Sequence, residues 1–504
     1  MKYLRRFLLI VLSLAVLGQL ALPFSTYAIA KEAKIRGYVT ALSPPNVFEI
    51  EDYKIIRGAN VRLELDKPSG ASAAPEDLKI GSLVEVRGLL NDRTGELSAT
   101  KIKLLRRSAE TIDATAILEE HPSLEAVEGD RWRGTIVADG RRIQIEPTTA
   151  VSFKLNKTEV KLSKDAEKAA KAEKSEERTG DVDPDESDLP TSVQAEGSTA
   201  LTSLKEVLPG VIMTYRGTEQ TDGSVLASQV VFVKNEQENS EYELWREFVR
   251  KVKPANSATG APAELRIGDA KCKISPNADV QAYVNRVGQS LIPAYQAQLR
   301  EGDPNKIPFR FTVVMEKGFN STAYPNGEVV INDEVFTVLE NEAQLAALLA
   351  HEMAHATQEH TYRLREYHKK GRKALQTLSV IAAIAGDVTL SDQLDQIGYF
   401  IVAGYGRPME NQADRIGMQY MVAAGYDPSE APKVWKLIER RYGESNNESY
   451  WSGSQNNLER RSFQLLTIRN LFADTDFDKL KKNEAEYKRN AEAAIAANPK
   501  IKRR

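Results

Sequence analysis

One glycine-punctuated pattern occurs twice in the first half of this 504-residue chain, and it confines that half to short strands. GSLVEVRG (81–88) is echoed by GVIMTYRG (210–217), with the same spacing between glycines. TGELSATKIKLL (94–105) then matches DGSVLASQVVFV (222–233), and RGYV (36–39) is paired with RGTI (133–136). Alternating residues between glycine turns predict strands, and several such strands in succession predict a small barrel or sandwich. Two β-rich repeats are expected, over 31–108 and 109–236.

The second repeat is interrupted. Residues 157–197 hold 7 Lys or Arg, 12 Asp or Glu and no aromatic residue. Such a segment cannot bury enough apolar surface to offset its ordering entropy, so a disordered acidic insertion is expected. From about 237 the texture becomes helical, with EYELWREFVRKV (241–252) and a Pro- and Ala-rich linker ending at 264. DVQAYVNRVGQSLIPAYQAQL (279–299) then repeats its apolar residues at helical steps. A globular domain is expected over 265–478, followed by a charged, frayed helical tail over 479–504.

The first 30 residues read differently. Lys2, Arg5 and Arg6 precede an apolar run from Phe7 to Leu17, and Ala28-Ile29-Ala30 offers a cleavage site. This is the pattern of a secretory signal peptide over 1–30, and the run is short for a membrane anchor. The formal charge is −3, becoming −6 once the three signal cations are removed. No concentrated basic face points to a nucleic-acid partner. The single cysteine, Cys272, excludes an intramolecular disulfide.

The chemistry concentrates in NEAQLAALLAHEMAHATQEH (341–360). Asn341 and Gln344 suit a helix N-terminus, and Leu345, Leu348, Leu349 and Met353 form an apolar stripe. On such a helix His351 and His355 are four apart and share a face, where they can ligate one zinc ion. Glu352 follows the first ligand, beside the metal rather than on it, as a general base must be. A catalytic zinc keeps three protein ligands and one open position. Downstream, YGRPMENQADRIGMQYMVAAGYDP (405–428) predicts a second helix with Glu410 and Asp414 on one face. Glu410 is the expected third ligand, and Asp414 is the expected partner of a ligand imidazole.

Together, HEMAHATQEH (351–360) and YGRPMENQAD (405–414) resemble the gluzincin zinc endopeptidases of the HtpX, BepA and CAAX prenyl protease family. NSTAYPNGEVVI (320–331) resembles that family's strand before the metal helix, and Arg407 fits its Arg before the third ligand. The resemblance implies an α+β fold, a mainly helical zincin-type metallopeptidase domain behind two small OB-like β-barrel or β-sandwich repeats. It implies one zinc per chain and a substrate-pairing strand carrying Asn320, Ala323, Gly327, Val329 and Ile331. It also implies hydrolysis of unfolded or misassembled protein substrates by metal-activated water. Among these relatives the chain is similar to the exported, soluble BepA-type members. LSVIAAIAG (378–386), the best candidate for a span beyond the signal, has only nine residues. An exported, periplasmic or secreted, envelope quality-control endopeptidase is the resulting expectation, with an envelope or outer-membrane assembly partner reached through the β repeats. The alternative is a chaperone-like or assembly scaffold whose metal site is latched or silent.

One departure stands out. Family members carry a Ser/Thr-His-Pro motif with an Arg six residues after the His. SGSQNNLERR (452–461) aligns with it so that Gln455 takes the His position and Arg461 the Arg position.

Overall fold

The computed structural model describes residues 31–43, 46–66, 71–106, 111–127, 130–154, 198–220, 222–234, 239–365, 407–443, 457–498 and 500–501. The expected signal peptide, the acidic insertion, the 378–386 segment and Gln455 lie outside them. The described residues pack as two compact units, divided between Leu105 and Arg106.

The first unit is a seven-stranded sheet of β1 (Lys31–Tyr38), β2 (Ala41–Ser43), β3 (Val47–Ile50), β4 (Tyr53–Arg57), β5 (Leu63–Leu65), β6 (Leu83–Asn91) and β7 (Glu96–Arg106). β1 pairs with β6 and β6 with β7; the far side of β7 is shared by β4 and β5, both parallel to it. Val39, Phe48, Ile50, Ile55, Leu97 and Ile102 form its dry interior.

The second unit begins with a sheet of the same plan. Its strands are β8 (Thr111–Ile117), β9 (Ser123–Ala126), β10 (Trp132–Ala138), β11 (Arg141–Ile145), β12 (Ala150–Lys154), β13 (Ser198–Ala200), β14 (Ile212–Glu219) and β15 (Val225–Val233). Here β8 pairs with β14, β14 with β15, and β11 and β12 share the far side of β15 in parallel. The repeat is therefore real in topology, and its glycines have a physical cause. A Cβ on Gly88 would lie 2.1 Å from the Ser98 carbonyl oxygen, and one on Gly217 would lie 2.5 Å from that of Leu226. The pairing of RGYV (36–39) with RGTI (133–136) is out of register. β1 corresponds to β8, whereas RGTI lies on β10, the counterpart of β3.

The rest of the second unit is α+β. Helix α1 (Asn239–Glu247) leads into a small antiparallel sheet of β16 (Arg250–Lys253), β17 (Glu264–Ile267) and β18 (Ala270–Lys273). The Pro- and Ala-rich stretch expected as a linker is the connection between β16 and β17. Helices α2 (Ala278–Ser290) and α3 (Ala294–Gln298) follow, then a mixed sheet in the order β19 (Arg310–Val314), β21 (Glu328–Asn332), β20 (Ser321–Ala323). The remaining helices are α4 (Glu342–Thr357), α5 (Arg407–Ala423), α6 (Glu430–Tyr442), α7 (Asn457–Leu471) and α8 (Glu484–Ala497).

Helix α4 is the axis of this domain. The Asn341 side chain accepts from the Gln344 amide at 2.9 Å, capping the helix as expected. Instead of presenting one apolar stripe, all sixteen residues of α4 are buried. Helix α8, expected as a frayed tail, buries Tyr487, Ala491 and Ala494 in the same core.

The second β module docks onto α4 and α5 through polar groups. The Gln358 side chain accepts from the Ile117 amide at 2.8 Å and donates to Glu119 at 2.9 Å, while the Tyr420 hydroxyl donates to Glu119 at 2.5 Å. Desolvation pushes the Glu119 carboxyl up to about 7, against these two hydrogen bonds. The folded state therefore holds this proton more tightly than the unfolded state. The resulting stability is full below the unfolded value and is lost as pH rises through about 7. Glu119→Gln should remove that loss. Denaturant titrations at pH 5 and pH 8 should show the parent falling by about 1–2 kcal/mol more than the variant. Equal falls would show that Glu119 does not titrate in this range.

Candidate metal centre

The two histidines of α4 meet the first turn of α5. His351 Nε2 and His355 Nε2 are 3.0 Å apart, and Glu410 oxygens lie 3.5 Å from the first and 3.6 Å from the second. These three residues form a group that could hold a metal ion. Donors about 2.0–2.1 Å from a tetrahedral zinc stand about 3.3 Å from one another, so the trio fits that ion. Two imidazoles and one carboxylate are also a common donor set of zinc hydrolases. Zinc is the cofactor this site suits.

Each ligand is held from behind. His351 Nδ1 lies 3.0 Å from Asp414 Oδ1. Burial and Arg460 work against a proton on His351, but Asp414 and Glu410 outweigh them and raise this imidazole to about 9. His355 Nδ1 lies 2.8 Å from Nδ1 of His360. Burial, then the neighbouring His351, lowers His355 well below the usual imidazole range, which favours the neutral form that can ligate.

The carboxylate of Glu352 is tied to the neighbouring sheet. It accepts from the Ala323 amide at 2.6 Å and from the Ser321 hydroxyl at 3.3 Å. Burial pushes it up to about 7, a range suited to proton exchange at neutral pH.

The strand expected to pair with substrate divides in two. Val329 and Ile331 lie on β21, the central strand, and are fully buried; they are core residues. Gly327 is in the turn between β20 and β21. Of the expected residues, Ala323 lies on the edge strand β20 and Asn320 directly precedes it; a strand paired on both sides has no free ladder to offer. The α5 backbone begins at Arg407, whose side chain lies outside the described residues.

Arg460, rather than Arg461, enters the site. Its guanidinium bonds both oxygens of Asp414, at 2.8 and 2.9 Å, and lies 2.9 Å from Glu410 and 3.9 Å above the Trp435 ring. Arg461 pairs with Glu439 instead. Neighbours on a helix point about 100° apart, so one step in alignment moves the charge to another face. Two further residues were absent from the expected site: His360 behind His355, and Asp139 of the second β module. The dipeptide Asp139-Gly140 could have revealed the latter's setting, since it is a strong signal for a two-residue hairpin turn. Both residues have positive φ, +57° and +61°. A Cβ on Gly140 would lie 2.4 Å from that of Arg415, so only glycine lets this hairpin approach α5 so closely.

Residues 278–493 match Peptidase family M48. They form an M48 peptidase domain. Residues 36–103 match a domain of unknown function, DUF5666. The chain is 27% identical over 206 residues to the putative beta-barrel assembly-enhancing protease of Vibrio cholerae, covering 37% of this chain and 40% of that protein. It is 29% identical over 170 residues to the Escherichia coli beta-barrel assembly-enhancing protease, covering 31% and 32%. The mitochondrial metalloendopeptidase OMA1 of Schizosaccharomyces pombe is 26% identical over 164 residues, with 32% and 45% covered. The chain thus matches less than half the length of each. Among the described residues no helix is long and apolar enough to cross a membrane.

Proposed function

We propose that this chain is an exported zinc endopeptidase that hydrolyses unfolded or misassembled envelope proteins. The observation that carries the reading is the convergence of His351, His355 and Glu410 beside a buried, hydrogen-bonded Glu352. Bound there, zinc would supply Lewis-acid activation of water and of the scissile carbonyl. Glu352 is the base that takes the proton of the attacking water and returns it to the leaving amine. Its hydrogen bonds to Ala323 and Ser321 fix the carboxylate next to β20, the strand along which an extended substrate would pair. Asp414 orients His351, and Arg460 balances the charge of the two carboxylates.

The same reading covers the rest of the chain. The first 30 residues act as a signal peptide, and the two β modules are OB-like repeats that reach an envelope or outer-membrane assembly partner. The matched relatives are named beta-barrel assembly-enhancing proteases, which supports a protein-cleaving role tied to assembly.

The purified protein should cleave an unfolded reporter such as reduced casein. A zinc chelator should abolish cleavage, and added zinc should restore it. Cleavage indifferent to the chelator would overturn the assignment. Suppression of aggregation without any cleavage would favour the scaffold alternative.

A further inference from the structure

A line of hydrogen bonds runs from the second β module to the metal site. His355 presents Nε2 to the ligand trio, and its Nδ1 meets Nδ1 of His360 at 2.8 Å. His360 Nε2 meets Oε1 of Gln412 at 2.7 Å, and Gln412 Nε2 donates to Asp139 Oδ1 at 2.7 Å. An amide group fixes the direction of donation. Gln412 must accept from His360 Nε2–H, so His360 Nδ1 is the acceptor and His355 Nδ1–H the donor. That tautomer leaves the His355 Nε2 lone pair for a metal. Every bond in the series donates toward the Asp139 carboxylate.

Asp139 is itself held firmly. Oδ2 accepts from the Tyr215 hydroxyl at 2.6 Å and from Arg141 at 2.8 Å, and Arg415 donates to Oδ1 and to the Asp139 carbonyl. Burial alone would raise this carboxyl, but Arg415 and Arg141 hold it low, so it remains an anion. His360, Gln412, Asp139 and Arg415 are all buried. Gln412 also donates to the Thr115 carbonyl at 3.1 Å and accepts from Arg363 at 3.2 Å, which fixes its amide from both modules.

We propose that Asp139 is a positioning residue for the metal site, acting through Gln412 and His360 on His355, so that docking of the second β module completes the centre. The inference rests on reading His351, His355 and Glu410 as a zinc site, and it adds a control on that site from outside the peptidase domain. Partners behind a ligating imidazole fix its tautomer and raise its basicity, and their loss weakens metal binding by roughly ten- to a hundredfold.

The test measures zinc affinity by competition with a chromophoric chelator, using full-length mature protein. Three variants are compared with the parent. Asp139→Asn removes the terminal anion. Gln412→Leu breaks the line but leaves Asp139 with Arg415, Arg141 and Tyr215, so it serves if the first variant fails to fold. Arg142→Gln removes a different contact between the modules, the 2.8 Å bond to the Asn470 carbonyl. Zinc affinity should fall roughly tenfold or more in the first two variants and stay within about twofold of the parent in the third. The visible spectrum of the cobalt-substituted Gln412→Leu protein should also shift, reporting altered ligand geometry. Equal affinity in parent and Gln412→Leu, or an equal fall in all three variants, would overturn the proposal. A parent that binds no zinc would instead refute the metal site itself.

Discussion

Glu352→Gln should leave the protein folded and zinc-loaded while peptide hydrolysis falls by about a hundredfold or more, the usual contribution of a positioned general base. Glutamine has the same shape and can still accept from the Ala323 amide, so the buried pocket is not left with an orphaned donor. What disappears is the ability to take a proton. The carboxylate stands outside the ligand trio, so the ion's three protein donors are unchanged. Casein cleavage and zinc content measured on one preparation separate the two effects. Cleavage within about threefold of the parent would remove Glu352 from the mechanism, because ordinary acid–base contributions are far larger.

Loss of a ligand should act on the metal first. In His351→Ala, His355→Ala and Glu410→Ala, zinc should fall from near one equivalent toward zero, with cleavage falling in proportion. Zinc bound only to the folded state adds about 4 kcal/mol when free metal exceeds its dissociation constant a thousandfold. The parent's melting temperature should therefore rise on zinc addition, and the variants' should not. Glu410→Ala is the most informative of the three. Asp414 is the only other carboxylate at the site on α5, and it is already engaged by His351 and Arg460. Full zinc occupancy in Glu410→Ala would assign the third ligand elsewhere.

Much of this site could be read without coordinates because its central geometry is local. A helix brings residues four apart onto one face, so the pairing of His351 with His355 follows from the spacing alone. The same rule put Glu410 and Asp414 together on α5. Long-range relations were less accessible. β20 and β21 fall within one continuous sequence motif, yet one is an edge strand and the other lies between two neighbours. Strand order depends on which segments meet across the fold, and alternation within a segment does not record it. The β repeat shows the same limit: its glycine spacing was informative, but a four-residue echo paired the wrong strands.

The sequence by itself determined the candidate metal-binding helix, the candidate base and the β-rich character of the first half. Each follows from residue spacing within a few turns or strands. Tertiary packing decided that Arg460 rather than Arg461 faces the ligands, because that choice depends on the phase of α7 against α4 and α5. It also decided that Asp139, more than 200 residues before His355, ends the hydrogen-bond line behind that ligand. A buried anion, an amide and two imidazoles can be aligned only where separate elements enclose them together, and no local pattern encodes that enclosure.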